Sequence, residues 1–215
     1  MFFSCSSDFS AKRITRPGKF GRVIIAAKDG GSMLRTELWN QMLYLDQVCF
    51  LKKFREIDFT ENNNFCLIFQ VIYNVTVEHE GQKLDYTMLC ALWNNQCFEN
   101  EILHLSQFMP EIESQEMKVV YPVTYDPLSF YPYFLDLFFG GIQLNSDEVT
   151  VHSVEAIGLS YFLDVSEDWR GTVGDMWEKQ FLDDVKHFGP LYYPDLVVGM
   201  FVSNTPAWEM EQVNK

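Results

Sequence analysis

One stretch decides the fold: Phe20-Gly21-Arg22-Val23-Ile24-Ile25-Ala26-Ala27-Lys28, which is followed by Asp29-Gly30-Gly31. A short apolar run that is rich in β-branched residues and stopped by glycines predicts a buried strand. Behind it, apolar residues recur every three or four positions, which predicts a helix with one apolar face. Ser32 is expected to cap the first turn of this helix. The expected apolar face consists of Leu34, Leu38, Met42, Leu45 and Cys49.

A second copy of this pattern lies near the end of the sequence. Thr172-Val173-Gly174-Asp175 has the residue pattern of a capping box, which predicts that a helix begins there. Gly189-Pro190 is expected to end the helix, because glycine adopts the left-handed turn and proline cannot continue the hydrogen bonding. The apolar run from Leu196 to Val202 then predicts a strand. The expected apolar face of the helix consists of Val173, Trp177, Phe181 and Val185.

Two further strands are predicted between these copies. The segment from Cys66 to Val77 alternates between apolar and more polar residues, and this period of two is typical of a strand with one buried face. The segment from Val149 to Leu163 predicts a second long strand, with Ile157, Leu159, Tyr161 and Leu163 on one face. Asn74-Val75-Thr76, within the first of these segments, is the only glycosylation sequon in the sequence.

The segment 85–141 departs from the alternation of strands and helices. It contains several prolines and the two cysteines Cys90 and Cys97. We interpret it as an insertion with short helices that ends in an aromatic helix over 133–139, which Gly140-Gly141 would stop. Lining of a lipid groove is one reading of the aromatic run, and ordinary core packing is the favoured one.

The predicted order is therefore strand, helix, strand, insertion, strand, helix, strand. Two such halves in one sheet predict an α+β protein with a ferredoxin-like fold, the split βαβ arrangement. We divide the chain into an irregular leader over 1–19, a single domain over 20–205 with its insertion at 85–141, and a tail over 206–215.

Composition and charge exclude several classes of protein. A hydrophobic content of 47% over 215 residues allows a sizeable core and argues against disorder. The net charge of −14 would repel phosphate backbones, so we expect no nucleic-acid partner. The sequence has neither the roughly 20 consecutive apolar residues of a membrane span nor an N-terminal signal peptide. Taken alone, these features indicate a cytosolic protein.

The sequence offers little catalytic chemistry. It lacks G-x-S-x-G and H-E-x-x-H motifs, and its four histidines are scattered. Lys28-Asp29-Gly30-Gly31 lacks the spacing of a phosphate-binding loop, so an ordinary turn is favoured. We therefore predict no enzymatic activity, no cofactor and no metal site. The spacing of Cys90 and Cys97 in a polar loop suits a small disulfide rather than a zinc site.

Several segments, taken in order, resemble the first extracellular domain of Patched-related (Patched domain-containing) proteins. The resemblance covers nearly the whole chain from about Asp8 onward. It is carried by the following segments: Arg16 to Ile25 with Lys28-Asp29-Gly30-Gly31, Asp85 to Cys90 with Cys97, Tyr121-Pro122, Phe139-Gly140-Gly141-Ile142, Glu155 to Leu163 and Trp177 to Phe181.

This resemblance implies a multi-pass membrane protein of the resistance-nodulation-division superfamily, with a sterol-sensing domain and two extracellular domains built on ferredoxin-like porter units. The present chain would be the first of these domains, exposed outside the plasma membrane. Its tail would lead toward a transmembrane helix, so the sequence would be a fragment or a short isoform. Its partners would be the second extracellular domain, the transmembrane helices and a sterol or other lipid.

The resemblance also carries residue-level expectations. Cys90 and Cys97 would form a disulfide outside the cell, and Asn74 would be glycosylated. The intramembrane acidic residues that couple transport to ions lie outside this sequence, so no transport residue is carried over. The alternative hypothesis is a soluble ferredoxin-like binding or regulatory module with reduced cysteines. A cytosolic enzyme that uses Asp29 or Asp168 is the third hypothesis.

Overall fold

The computed structural model describes residues 18–46 and 72–205, with the backbone alone at 188–192. Within this part the protein is α+β. The α-helices are α1 (Thr36–Asp46), α2 (Tyr86–Leu89), α3 (Met109–Glu113) and α4 (Asp168–Tyr192), and 3₁₀ helices cover Glu101–Phe108 and Leu135–Leu137. The strands are β1 (Lys19–Ala27), β2 (Val77–His79), β3 (Gln82–Leu84), β4 (Leu92–Trp93), β5 (Gln96–Cys97), β6 (Val123–Tyr125), β7 (Pro132–Phe134), β8 (Phe139–Leu144), β9 (Val151–Leu163) and β10 (Leu196–Val202).

The main sheet contains four strands in the order β10-β1-β9-β8, and each strand runs antiparallel to its neighbours. The remaining strands of the described ranges form three separate hairpins, β2–β3, β4–β5 and β6–β7. Ile25 lies opposite Ile157 on one side and Val198 on the other. Three apolar side chains therefore stand in a row across the centre of the sheet.

The core lies on the helix-bearing face of the sheet. Side chains alternate between the two faces of a strand, and the same alternate positions of β1 and β9 are buried. The predicted strands over 20–28, 149–163 and 196–202 are confirmed within one or two residues at each end. The predicted inward face of β9 is also confirmed, and its buried residues are Ile157, Leu159, Tyr161 and Leu163.

Helix α1 packs against the first 3₁₀ helix, α3 and α4. The prediction that Ser32 caps it is wrong, because the Ser32 hydroxyl accepts the N–H groups of Leu34 and Val154 and the helix begins four residues later, at Thr36. Glu113 supplies the cap instead, and it accepts both the N–H and the hydroxyl of Thr36. Leu38, Met42 and Leu45 of the predicted apolar face are buried, Leu34 precedes the helix, and Cys49 lies outside the described residues.

Helix α4 covers the sheet opposite β1 and β10. All four residues of its predicted apolar stripe are buried: Val173, Trp177, Phe181 and Val185. Its predicted ends are wrong, since the helix begins at Asp168 and continues through Gly189-Pro190 to Tyr192. Asp175 is bonded to Lys19 and Asn204 rather than to its own helix terminus. Pro190 stands only two residues before the last helical residue, where one missing N–H costs a single bond of the final turn.

The predicted strand over 66–77 is wrong in its described part. Residues 72–74 form a turn that the N–H of Val75 closes on the carbonyl of Ile72. Only Val77 extends into a strand, β2, and it pairs with β3 across Glu80 and Gly81, which both have positive φ. This local hairpin takes up the backbone bonds that a strand of the main sheet would need. Residues 66–71 lie outside the described ranges.

The predicted aromatic helix over 133–139 is also wrong. The run divides between β7, a single 3₁₀ turn and the start of β8, the edge strand of the main sheet. Gly140 and Gly141 lie inside β8, so residues 139–141 of the proposed insertion belong to the sheet. Gly141 has a φ of +64°, and a β-carbon there would lie 2.5 Å from Oε2 of Glu155. Gly141 therefore allows β8 to lie against β9.

Gly141→Ala tests this role of Gly141. The substitution should lower the free energy of unfolding by about 2 kcal/mol, because alanine is strained at positive φ and its methyl group would meet Glu155. Urea denaturation of the purified chain measures the change. Gly140→Ala is the matched control, since its β-carbon would meet nothing closer than 3.8 Å. Equal losses in the two variants would contradict this account.

Candidate functional site

The disulfide-bonded hairpin is the first candidate site. Cys90 and Cys97 are bonded, with their Cα atoms 5.5 Å apart, so the predicted pairing is present. The two residues of the turn between β4 and β5, Asn94 and Asn95, have φ of 51° and 63°. Asparagine tolerates this left-handed conformation, which suits a two-residue hairpin turn. A rigid loop results, with the Trp93 side chain exposed beside the turn.

This hairpin is attached to the end of β9. The N–H of Ala91 donates to the carbonyl of Phe162, and the N–H of Asp164 donates to the carbonyl of Leu89. Helix α2 begins just before the hairpin, where the Asp85 carboxylate accepts the N–H of Met88. The disulfide therefore closes a loop whose two ends are already held by the sheet and by a capped helical turn.

Asn74, the predicted glycosylation site, lies on the surface. It is the last residue of the turn 72–74, and it is exposed between the fully buried side chains of Ile72 and Val75. The two apolar neighbours hold the turn on the core while Asn74 faces solvent. This geometry leaves room for a glycan on the acceptor side chain.

A buried carboxylate, Asp46, forms the second candidate site, which the sequence analysis missed. Asp46 is the last residue of α1 and is 6% exposed. Oδ1 accepts the hydroxyl of Tyr161 at 2.5 Å and an N–H of Asn100 at 3.3 Å. The Asn100 side-chain oxygen in turn accepts the backbone N–H of Ser160 at 2.9 Å. One polar network thus joins α1, the segment before the first 3₁₀ helix and β9.

The surroundings of Asp46 are aromatic. Tyr73, Tyr86 and Tyr161 lie edge to face with ring centroids 5.0–6.4 Å apart. Burial raises the pKa of Asp46 to about 6, although the hydrogen bonds from Tyr161 and Asn100 favour its charged form, and the nearby Glu99 adds to the increase. Burial likewise raises the pKa of the Tyr161 hydroxyl well above its usual value. Asp46 is thus a group that can hold or release a proton near neutral pH.

A second buried carboxylate, Glu178, joins the two ends of the described domain. It extends from α4 with its side chain fully buried, and it accepts the N–H of Phe20 and the hydroxyl of Ser203. Lys19 lies 3.9 Å from the other carboxylate oxygen and is also bonded to Asp175. The network connects the start of β1, α4 and the turn after β10. Its hydrogen bonds are internal and stabilise the fold, and both bonds to Glu178 go to Oε1. Oε2 is buried beside Lys19 and has no hydrogen-bond partner among the described residues.

The glycine turn after β1 is an ordinary turn, as predicted. Arg35 donates two hydrogen bonds to Asp29, at 2.7 and 2.8 Å, and the N–H of Gly31 donates to the same carboxylate. The hydrogen bonds from Arg35, and then that from Gly31, lower the pKa of Asp29 to about 2. The carboxylate of the turn therefore occupies the donors that a bound phosphate would need. Asp168, the other acid of the enzyme hypothesis, is the first residue of α4 and is distant in sequence from this turn.

The described residues bring together no group of three or more histidine, cysteine, aspartate or glutamate side chains that could hold a metal ion. Within the same ranges, no helix combines the length and the apolar character that crossing a bilayer requires. No protein-family model matches the sequence.

The pKa of Asp46 has a consequence for stability. Its folded-state pKa of about 6 lies above the usual 3.8, so the folded state binds a proton between these pH values that the unfolded state does not. The contribution of Asp46 to the free energy of unfolding should therefore increase as the pH falls from about 6 to about 4. The whole shift corresponds to about 3 kcal/mol.

Asp46→Asn should remove this dependence. We compare the free energy of unfolding of the variant with that of the wild type by urea denaturation at each pH. The difference, variant minus wild type, should decrease by about 3 kcal/mol as the pH is lowered from 7 to 4. Asp29→Asn is the control of opposite sign, because the lowered pKa of Asp29 stabilises the fold above pH 3.8 and this contribution is lost as the pH falls toward 2. Parallel pH profiles for Asp46→Asn and the wild type would contradict the assignment.

Proposed function

We propose that this chain is the first extracellular domain of a Patched-related multi-pass membrane protein, where it takes part in lipid or sterol transport or in the reception of an extracellular ligand. The order of the main sheet carries the proposal. When its strands are numbered along the chain (β1, β8, β9, β10), they lie in the order fourth, first, third, second. A helix follows the first strand and another follows the third. This arrangement supports the ferredoxin-like, split βαβ unit that the sequence resemblance implies.

The disulfide supports the extracellular location. Disulfides persist in oxidising compartments and are rare where glutathione keeps thiols reduced. Cys90 and Cys97 are close enough to bond without distortion of the hairpin, since their Cα separation of 5.5 Å lies within the usual range. The exposed position of Asn74 leaves its side chain accessible to glycosylation, which takes place along the secretory route.

The role of the domain in this proposal is binding and positioning rather than chemistry. A lipid path would run between this domain and the second extracellular domain, above the transmembrane helices. The isolated chain should then move no sterol between liposomes. Unaided transfer by the purified chain would contradict this division of labour.

The covalent state of the chain after secretion tests the proposal. We expect protein made through a secretory pathway to carry a glycan at Asn74 and a bond between Cys90 and Cys97. Alkylation before reduction should leave both cysteines unmodified, and glycosidase treatment should lower the intact mass. Mass spectrometry of the intact chain and of its peptides reads out both modifications.

Thr76→Ala is the matched control for the glycan, because it removes the sequon and leaves Asn74 in place. This variant should have the mass of the deglycosylated wild type, apart from the substitution itself. Free thiols at Cys90 and Cys97 together with an unmodified Asn74, in protein that is well folded, would overturn the proposal. That result would favour the soluble ferredoxin-like binding or regulatory module.

A further inference from the structure

The loop between β6 and β7 presents a concentrated apolar surface that the proposed function leaves unused. Residues 127–135 carry no charged side chain. At the tip, Leu128 is 78% exposed and Phe130 is 76% exposed. Other large apolar side chains of this hairpin and the residues just after it are also exposed: Tyr125, Tyr131, Phe134 and Leu137. Exposure of so many neighbouring apolar groups marks an interaction surface.

The backbone N–H groups of this loop are paired internally. Asp126 accepts the N–H groups of Leu128 and Ser129, each at 2.8 Å, and its own N–H donates to the carbonyl of Tyr131. The N–H of Phe130 donates to the carbonyl of Asp126, and that of Tyr131 donates to the Ser129 hydroxyl. The flanking prolines, at 127 and 132, have no N–H. Every N–H from 126 to 132 is therefore either paired within the loop or absent.

The one charged side chain of the loop, Asp126, lies beneath its surface. Asp126 is buried, and Tyr133 and Gln107 donate to its second oxygen. Asp126 thus holds the loop through its buried carboxylate, while the tip presents Leu128, Phe130 and the uncharged Ser129. Phe130 is held at a φ of 59°, which is unfavourable for a bulky residue, and its ring is directed away from the core. Strained and exposed positions of this kind cluster at binding sites.

We propose that the loop 126–131 inserts into the interfacial region of a zwitterionic phospholipid bilayer. A bilayer penalises unpaired backbone N–H groups, and this loop exposes none. Tyrosine and phenylalanine side chains suit the boundary between head groups and acyl chains. The chain carries a net charge of −14 and the tip holds no basic residue, so anionic lipid offers no attraction.

A protein partner fits this surface less well. Protein interfaces carry about one hydrogen bond per 100–200 Å², whereas the loop has no N–H to offer and the Tyr131 hydroxyl already donates to Glu101 at 2.7 Å. A surface without free backbone N–H donors suits a medium that interacts without direction. The inference does not depend on the family proposed above, because it rests on this loop alone.

Flotation of the purified chain with phosphatidylcholine vesicles tests the inference. We expect the wild type to float with the vesicles. Phe130→Asn should reduce the partition coefficient about tenfold or more, since it removes a large apolar area that insertion into the bilayer would bury. Asparagine tolerates positive φ, so this variant should keep the hairpin intact. Circular dichroism and urea denaturation verify that the fold is retained. Leu128→Ser should weaken binding in the same direction.

Trp93→Asn is the matched control. Trp93 is 75% exposed in a different hairpin, where polar asparagines form the turn. This variant should bind vesicles as the wild type does. Absence of vesicle binding by the wild type, or equal losses in Phe130→Asn and Trp93→Asn, would overturn the inference. Self-association that Phe130→Asn abolishes, without any vesicle binding, would also overturn it and identify the loop as a protein contact.

Discussion

Eight residues of β1 lie directly opposite residues of β9, from Lys19 against Leu163 to Ala26 against Ala156. This antiparallel register determines which side chains of both strands point toward the helices. A slip of one residue would turn Val23 and Ile25 to the opposite face and expose them. The outer strands, β8 and β10, pair with these two central strands. The positions of α1 and α4 in turn depend on the apolar face that the register creates.

Asp46 in the aromatic core and Asp126 in the β6–β7 hairpin show that burial alone does not determine the pKa of an acid. Asp46 relies on two side-chain donors, and burial raises its pKa. Burial also disfavours the charge of Asp126, but the N–H groups of Ser129 and Leu128 and the Tyr133 hydroxyl hold its pKa below the usual value. Fixed backbone donors compensate a charge more completely than a few side-chain partners do. The fold therefore contains one acid poised to take up a proton and one that stays ionised.

Sequence patterns predicted the elements that local residues determine. The strands β1, β9 and β10, the buried stripe of α4 and the bond between Cys90 and Cys97 followed from periodicity, spacing and resemblance. Alternation around Val75 predicts a strand, but it cannot reveal that a turn at Glu80-Gly81 gives the chain a nearer partner. The glycines at 140–141 predict a helix stop, whereas both lie inside a strand and Gly141 allows close packing there. Asp46 was missed because a single acid at the end of an apolar stripe is typical of a solvated helix end.

The network around Glu178 has a geometric consequence for the path of the polypeptide. It joins Phe20 to Ser203, and Gly21 lies opposite Val202 in the sheet. The chain thus enters and leaves the domain at adjacent points of neighbouring antiparallel strands. A unit with this closure can be spliced into a loop of another protein, because its two attachment points demand almost no separation from the host. Force applied through those points would load the pairing of β1 with β10 first, and the hydrogen bonds of Glu178 to Phe20 and Ser203 hold the same two strand ends together.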